Sequence, residues 1–128
     1  MLAITGLYAG LIALVFLALS ARVILYRRRN RISLGDNGNN SLLKRMRAQA
    51  NCAEYAPFAL LLLALIEAQG APALAVHLLG AALLAGRCLH GWGFSASPPV
   101  MGARVAGTVL TLTMILLSAS GLILHGLF

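Results

Sequence analysis

The sequence predicts an all-α integral membrane protein, an up-and-down bundle of four helices in a single domain. Of its 128 residues, 60% are hydrophobic and only 10% are charged, and the mean hydropathy is +0.88. Because soluble globular domains carry about 25% charged residues, this composition argues against an ordinary soluble fold. Four apolar stretches are separated by short polar connections, and short connections make neighbouring helices of a bundle antiparallel.

The first helix is expected over residues 2–29. Leu2 to Ala21 form a run of twenty residues without a charge, about the length that crosses the hydrocarbon core of a bilayer. A secretory signal peptide would instead combine a basic start, a shorter apolar run and a small-residue cleavage site. This segment does not match that pattern, so we expect it to be retained as a membrane-spanning helix.

The second helix is expected over residues 41–69. It follows the segment SLGDNGNNS, whose Gly, Asn and Ser residues are typical of a loop. Either Asn40 or Ser41 has a side chain suited to cap the amino terminus of the helix. Pro57 has no N–H to donate to the carbonyl of Ala53, so we expect it to interrupt and kink this helix.

The third helix is expected over residues 72–94 and the fourth over residues 98–125. Pro72 suits the first turn of a helix, where no N–H is needed. The third helix reaches membrane-spanning length only if it continues through Arg87. A pair of prolines precedes the fourth helix, whose apolar run over 105–124 is long enough to cross the bilayer.

The net charge of +7 is concentrated at one end of the predicted bundle. Eight of the ten Lys and Arg residues lie between Arg22 and Arg47, in the first loop and the helix ends beside it. The positive-inside rule places this loop in the cytoplasm and, counting spans, both termini outside. Attraction to anionic membrane lipids is a simple explanation for much of this charge. A nucleic-acid partner is not expected for so apolar a chain.

Ionisable side chains also occur where a membrane-spanning helix should be apolar. Arg47, Asn51 and Glu54 are spaced i, i+4 and i+7, so a helix places them on one face. Each ionisable group there costs about 2.5–3.5 kcal/mol on insertion scales, and such groups are functional candidates by default. Arg87 and Arg104 are expected at a similar depth on the third and fourth helices.

The simplest structural role for these charges is a buried ion pair. We expect Glu54 and Arg87 to form one, which would join the second and third helices. That pair would leave Arg47 and Arg104 without acidic partners, since the two remaining acids lie elsewhere in the chain. Surplus arginine facing a cavity predicts an anionic ligand, because the guanidinium fork matches a carboxylate.

Five other polar or reactive residues carry no predicted chemistry. Cys52 and Cys88 lie inside predicted helices and form neither a CxxC motif nor a disulfide framework. His77 and His125 are expected to be ordinary interfacial residues, and Glu67 is expected to face water beside the outer turn. No metal site is predicted.

Two segments resemble a known family. The pattern R-A-Q-x-N-C-x-E-Y-x-P, from Arg47 to Pro57, is similar to the signature of the MAPEG family, the membrane-associated proteins in eicosanoid and glutathione metabolism. The pattern is especially similar to that of the family's cysteinyl-leukotriene synthase branch. The segments LLAGRCLHGWGF and LGDNGNNS resemble the small bacterial members. The resemblance implies a homotrimer in a bacterial inner membrane, with glutathione bound as co-substrate between neighbouring subunits.

The resemblance also implies a set of site residues. The family's glutathione contacts would fall on Arg27, Arg47, Gln49, Asn51, Glu54, Tyr55, Arg87 and His90. Arg104 would match the arginine that activates the thiol. Two positions that are tyrosines in the leukotriene branch are His90 and Phe94 here. His90 can still donate a hydrogen bond, whereas Phe94 cannot.

The implied activity is that of a glutathione-dependent membrane transferase or peroxidase. Its second substrate would be a lipophilic electrophile or a lipid hydroperoxide that arrives from the bilayer. A guanidinium in a low-dielectric pocket favours the thiolate, which is the reactive form of a thiol. Arg104 is therefore the expected catalytic residue.

Two alternatives belong to other functional classes. One is a non-catalytic lipid- or glutathione-binding membrane protein, similar to the lipoxygenase-activating member of the same family, and Phe94 favours it. The other is a small four-helix exporter that exchanges protons for cationic drugs. Such an exporter needs an isolated membrane carboxylate, whereas the arginines around Glu54 would hold it ionised and repel cations.

Overall fold

The computed structural model of the protein describes residues 1–128, which form four α-helices. By length and composition, each helix can cross a membrane. The prediction of an all-α protein with four membrane-spanning helices is confirmed. The helices are α1 (Ala3–Asn30), α2 (Asn40–Ala68), α3 (Ala73–Ser95) and α4 (Met101–Leu127).

Contacts between helix ends show that successive helices are antiparallel. The backbone N–H of Ile4, at the start of α1, donates to the carboxylate of Glu67, at the end of α2. The hydroxyl of Tyr8 lies 3.2 Å from Nδ1 of His77, so the start of α1 also meets the start of α3. The end of α3 packs on the start of α4 through Gly93. The chain therefore runs up and down through the bundle.

The second and fourth helices begin at slightly different positions from those expected. Asn39 caps α2, and its side-chain oxygen accepts the N–H of Leu42 at 3.0 Å. Helix α4 begins at Met101 rather than at residue 98, because the N–H of Val100 donates to the carbonyl of Gly93 and holds the connection against α3.

Helix α2 has one buried face and one exposed face. Pro57 lies inside α2 without ending it. Half of the residues on the buried face have small side chains, which let α1 and α3 approach closely. Its buried residues are Leu42, Ala48, Cys52, Ala56, Ala59, Leu62, Leu63 and Ile66. The exposed face carries both apolar and ionisable residues, and includes Leu43, Arg47, Glu54, Phe58 and Leu61.

Glycines bring α3 and α4 into backbone contact. A Cβ added at Gly86 would lie 2.6 Å from Oγ1 of Thr111 and 2.9 Å from the carbonyl oxygen of Gly107. A Cβ added at Gly107 would lie 2.5 Å from the backbone nitrogen of His90. Side chains at these positions would force the helices apart. Because Gly86 and Gly107 have none, the two helices touch here, and Arg87, which follows Gly86 on α3, lies directly against α4.

Candidate functional site

Arg87 is buried at the junction of three helices, with 2% of its surface exposed. Its Nε and Nη2 atoms donate to Oγ1 of Thr111 on α4, at 3.1 and 2.7 Å. Its Nη1 atom donates to Oδ1 of Asn51 on α2, at 2.7 Å. The guanidinium carbon lies 5.5 Å from the centre of the Tyr55 ring. Arg87 therefore joins α2, α3 and α4 through neutral groups.

The expected ion pair between Glu54 and Arg87 is wrong. Glu54 is exposed on the surface of the chain, whereas Arg87 donates to Asn51 and Thr111. The physical reason is the rotation of α2. Three residues after Asn51, Glu54 points about 60° further from the buried face, since successive helical residues are about 100° apart.

The other two arginines share a cavity, which we call the basic hollow. Its volume is about 320 Å³, and it lies between the amino-terminal ends of α2 and α4 and the end of α3. Lys44, Arg47 and Arg104 supply three positive charges, and no carboxylate lines it. The guanidinium carbon of Arg104 lies 4.0 Å from the centre of the Phe94 ring. The other lining residues are Asn40, Leu43 and Pro99.

His90 lies one turn before Phe94 on α3 and is 4% exposed. The two rings are 5.6 Å apart between centres and tilted by 45°. His90 also packs against Gly107 of α4. This pair of tilted rings therefore connects the buried part of α3 to Arg104 at the basic hollow.

Arg27 and Gln49 do not line the basic hollow. Nη1 of Arg27 donates to the carbonyl of Gly35 at 2.8 Å, so this arginine holds the first loop. The amide of Gln49 donates to the hydroxyl of Ser20 at 3.2 Å and joins α2 to α1. Within one chain, both side chains already have local partners.

Sequence reasoning missed Lys44 and Thr111. Lys44 belongs to the basic run that topology and attraction to anionic lipids explain, although it also lies one turn before Arg47 on α2. Thr111 has no signal in the sequence, because a lone threonine in an apolar helix commonly donates to the carbonyl four residues earlier. It does so here, to Gly107 at 2.9 Å, and it also accepts from Arg87.

Glu67 lies beside the turn after α2 and has a structural role that the sequence did not reveal. It is partly exposed, and its carboxylate accepts the backbone N–H groups of Ile4 and Thr5 at 2.9 and 2.7 Å. These N–H groups would otherwise lack partners in the first turn of α1, where a negative charge also suits the helix dipole. Glu67 is therefore a cap for α1 supplied by α2.

Comparison with known proteins agrees with this architecture. A sequence model of the MAPEG family matches residues 5–124. The "Inner membrane protein YecN" of Escherichia coli strain K12 is 38% identical over 91 residues, which cover 71% of this chain and 70% of that protein. The protein of the same name from Escherichia coli O6:H1 strain CFT073 matches to the same extent. The chain is thus an integral membrane protein and belongs to the MAPEG family.

Proposed function

We propose that the protein is a glutathione-dependent membrane transferase or peroxidase that acts on lipophilic electrophiles or lipid hydroperoxides. The observation that carries this proposal is the basic hollow, where Lys44, Arg47 and Arg104 meet without a carboxylate. Three unpaired cations around one cavity favour an anionic ligand, because like charges repel until an anion compensates them.

Glutathione has the charge pattern and the length that this surface would accommodate. Its glycine carboxylate would pair with Arg47 and Lys44 at the basic hollow. At the other end of the molecule, the ammonium group, which shares a carbon atom with the second carboxylate, would pair with Glu54. Glu54 lies two helical turns from Arg47, about 10 Å along α2. An extended tripeptide spans about 10 Å, so one molecule can contact both residues.

The proposed active form is a homotrimer, as the family resemblance implies. Arg47 and Glu54 lie on the exposed face of α2, where a single copy in a bilayer would present both to lipid. Each ionisable group would then cost about 2.5–3.5 kcal/mol. A neighbouring copy that covers this face would remove the cost and enclose the ligand between subunits.

The proposed orientation places the basic hollow on the cytoplasmic side of a bacterial inner membrane. The basic residues between Arg22 and Arg47 support this orientation through the positive-inside rule. Glutathione would then reach the hollow from the cytoplasm, and the apolar substrate from the bilayer.

Arg104 has the proposed catalytic role. Its guanidinium, held over Phe94, would stabilise the glutathione thiolate after the thiol proton leaves to solvent. The thiolate sulfur then forms a bond to the electrophilic carbon, and the leaving group departs with its electron pair. With a hydroperoxide, the sulfur attacks the terminal oxygen and the O–O bond breaks. The alkoxide leaves and takes a proton from solvent to become the alcohol. The thiol of a second glutathione then displaces water from the sulfenic acid to give the disulfide.

A non-catalytic binding protein is the second candidate, and Phe94 favours it. The resemblance to the leukotriene branch of the family implies a tyrosine at this position. The phenyl ring of Phe94, which lies beside Arg104, has no hydroxyl to donate. Such a protein would bind glutathione or a lipid without turning either over. Binding and turnover must therefore be measured separately.

The decisive experiment compares wild-type protein with Arg104→Ala in detergent. Calorimetry measures glutathione binding, and the conjugation rate with a generic aryl halide measures turnover. A thiol pKa lowered by two units corresponds to about 2.7 kcal/mol, so we expect conjugation to fall about 100-fold while glutathione binding largely remains. Arg28→Ala is the matched control, because Arg28 is exposed and does not line the basic hollow.

The outcomes separate the two candidates. Unchanged turnover in Arg104→Ala would contradict the proposed role of Arg104. Glutathione binding without any conjugation by the wild-type protein would favour the non-catalytic candidate. No heat and no thermal shift at millimolar glutathione would contradict a glutathione site altogether.

A further inference from the structure

Another cationic cavity lies between the end of α1 and the start of α2. We call it the arginine cleft. Arg22 and Arg29 of α1 and Arg45 of α2 line a space of about 210 Å³, together with Leu25 and Tyr26. No acidic residue lines the cleft, and it shares no lining residue with the basic hollow.

Contacts with neutral groups hold Arg45 in place. The guanidinium carbon of Arg45 lies 4.3 Å from the centre of the Tyr26 ring, and its Nη1 atom donates to the carbonyl of Ser41 at 2.8 Å. The Tyr26 hydroxyl donates to Asn39 at 3.1 Å, which fixes the ring beneath Arg45. A guanidinium has five N–H groups, so Arg45 keeps donors for a further acceptor.

Arg22 is held by a contact with α3. Its Nη2 atom donates to the carbonyl of Ser95 at the end of α3, at 3.3 Å. Arg22 is also the first charged residue after the uncharged run from Leu2 to Ala21. The arginine cleft therefore lies where the hydrocarbon core of a bilayer gives way to its headgroups.

An exposed apolar stripe leads from the membrane core to the cleft. Residues spaced three or four apart on α1 share one helix face. From the cleft toward the helix start, one series of residues at this spacing is exposed and apolar throughout. It consists of Leu25, Ala21, Ala18, Leu14, Leu11 and Leu7.

We propose that the arginine cleft binds the phosphate headgroup of an anionic lipid, whose acyl chain lies along this stripe. Arginine suits a phosphate because two parallel N–H groups can contact two oxygens. Tyr26 fits the same boundary, since tyrosine is enriched at membrane interfaces. The stripe favours a lipid over free phosphate, because free phosphate has no chain to lie on it. This site is independent of the glutathione proposal.

The test uses the purified full-length protein in a neutral detergent. Native mass spectrometry measures the binding of phosphatidylglycerol, phosphatidylethanolamine and inorganic phosphate. Arg29→Gln and Arg45→Gln each remove one cationic donor from the cleft. Arg28→Gln is the matched control, because it removes the same charge from the same helical turn but lines a different cavity, with Arg27 and Arg31.

We expect phosphatidylglycerol to bind in preference to phosphatidylethanolamine. Each cleft variant should bind it about tenfold more weakly, the effect of losing one charge-assisted hydrogen bond. The control should change binding less than about twofold, as for an exposed surface charge. The proposal would be overturned by equal loss in Arg28→Gln, by equal binding of both lipids, or by equal binding of inorganic phosphate at matched concentration.

Discussion

Arg87 is held by neutral oxygen atoms rather than by a carboxylate. Its three hydrogen bonds to Asn51 and Thr111 are charge-assisted, and they offset part of the cost of burying the guanidinium. The sequence could place Arg87 on the third helix among the buried polar residues. It could not select Asn51 over Glu54, because that choice depends on the rotation of α2 against α3.

Thr111→Val tests this arrangement at the residue scale. Valine keeps the shape of threonine but removes the oxygen that accepts two N–H groups of Arg87. We expect the free energy of unfolding to fall by about 1.5–3 kcal/mol, measured by denaturation in mixed detergent micelles. Thr113→Val is the control, because Thr113 is exposed on the same helix. Equal stability of the two variants would contradict the role assigned to Thr111.

Helices α3 and α4 owe their close approach to glycine rather than to large interlocking side chains. Gly86, Gly93 and Gly107 each lie where a Cβ would meet the facing helix within 3 Å. The lengths of the apolar runs and the prolines before them predicted both helices, since these depend only on local sequence. It could not reveal this contact, because glycine in an apolar run has no distinguishing pattern.

Gly107→Ala tests the contact at the element scale. The new methyl group would lie 2.5 Å from the backbone nitrogen of His90, so the helices must separate. We expect a loss of about 1–3 kcal/mol in stability and a lower thermal unfolding midpoint. Gly121→Ala is the control on the same helix, since no heavy atom lies within 4 Å of its added Cβ. There the better helix propensity of alanine should maintain or raise stability. A similar loss in both variants would argue against a specific contact at Gly107.

At the scale of the whole molecule, a single chain leaves part of its surface unsuited to lipid. The four helices and their order could be predicted, because hydrophobic length and short loops determine them. The basic hollow was foreseen in outline from Arg47 and Arg104. The sequence could not show that Lys44 lines the hollow or that Arg27 lies outside it. Both facts depend on how α2 and α4 meet in three dimensions.

The proposed trimer leads to a prediction for the exposed face of α2. We expect native mass spectrometry to detect three copies of the 13.4-kDa chain. If a neighbouring copy covers Glu54, then Glu54→Leu should weaken assembly, whereas a lipid-facing Glu54 would make the same change stabilising. Phe58→Leu is the control, because Phe58 lies on the same exposed face but carries no charge. A monomer that becomes more stable in Glu54→Leu would contradict the trimer.

The cap that Glu67 provides has a mechanical consequence. Glu67 fastens α1 to α2 at one end, and Tyr26 fastens it to Asn39 near the other. Both ends of the first hairpin are thus closed. Three polar contacts join it to the second hairpin at different heights of the bundle: Tyr8 to His77, Asn51 to Arg87, and Arg22 to Ser95. The two hairpins therefore cannot separate at one end without straining a contact elsewhere, so we expect them to move as one rigid unit.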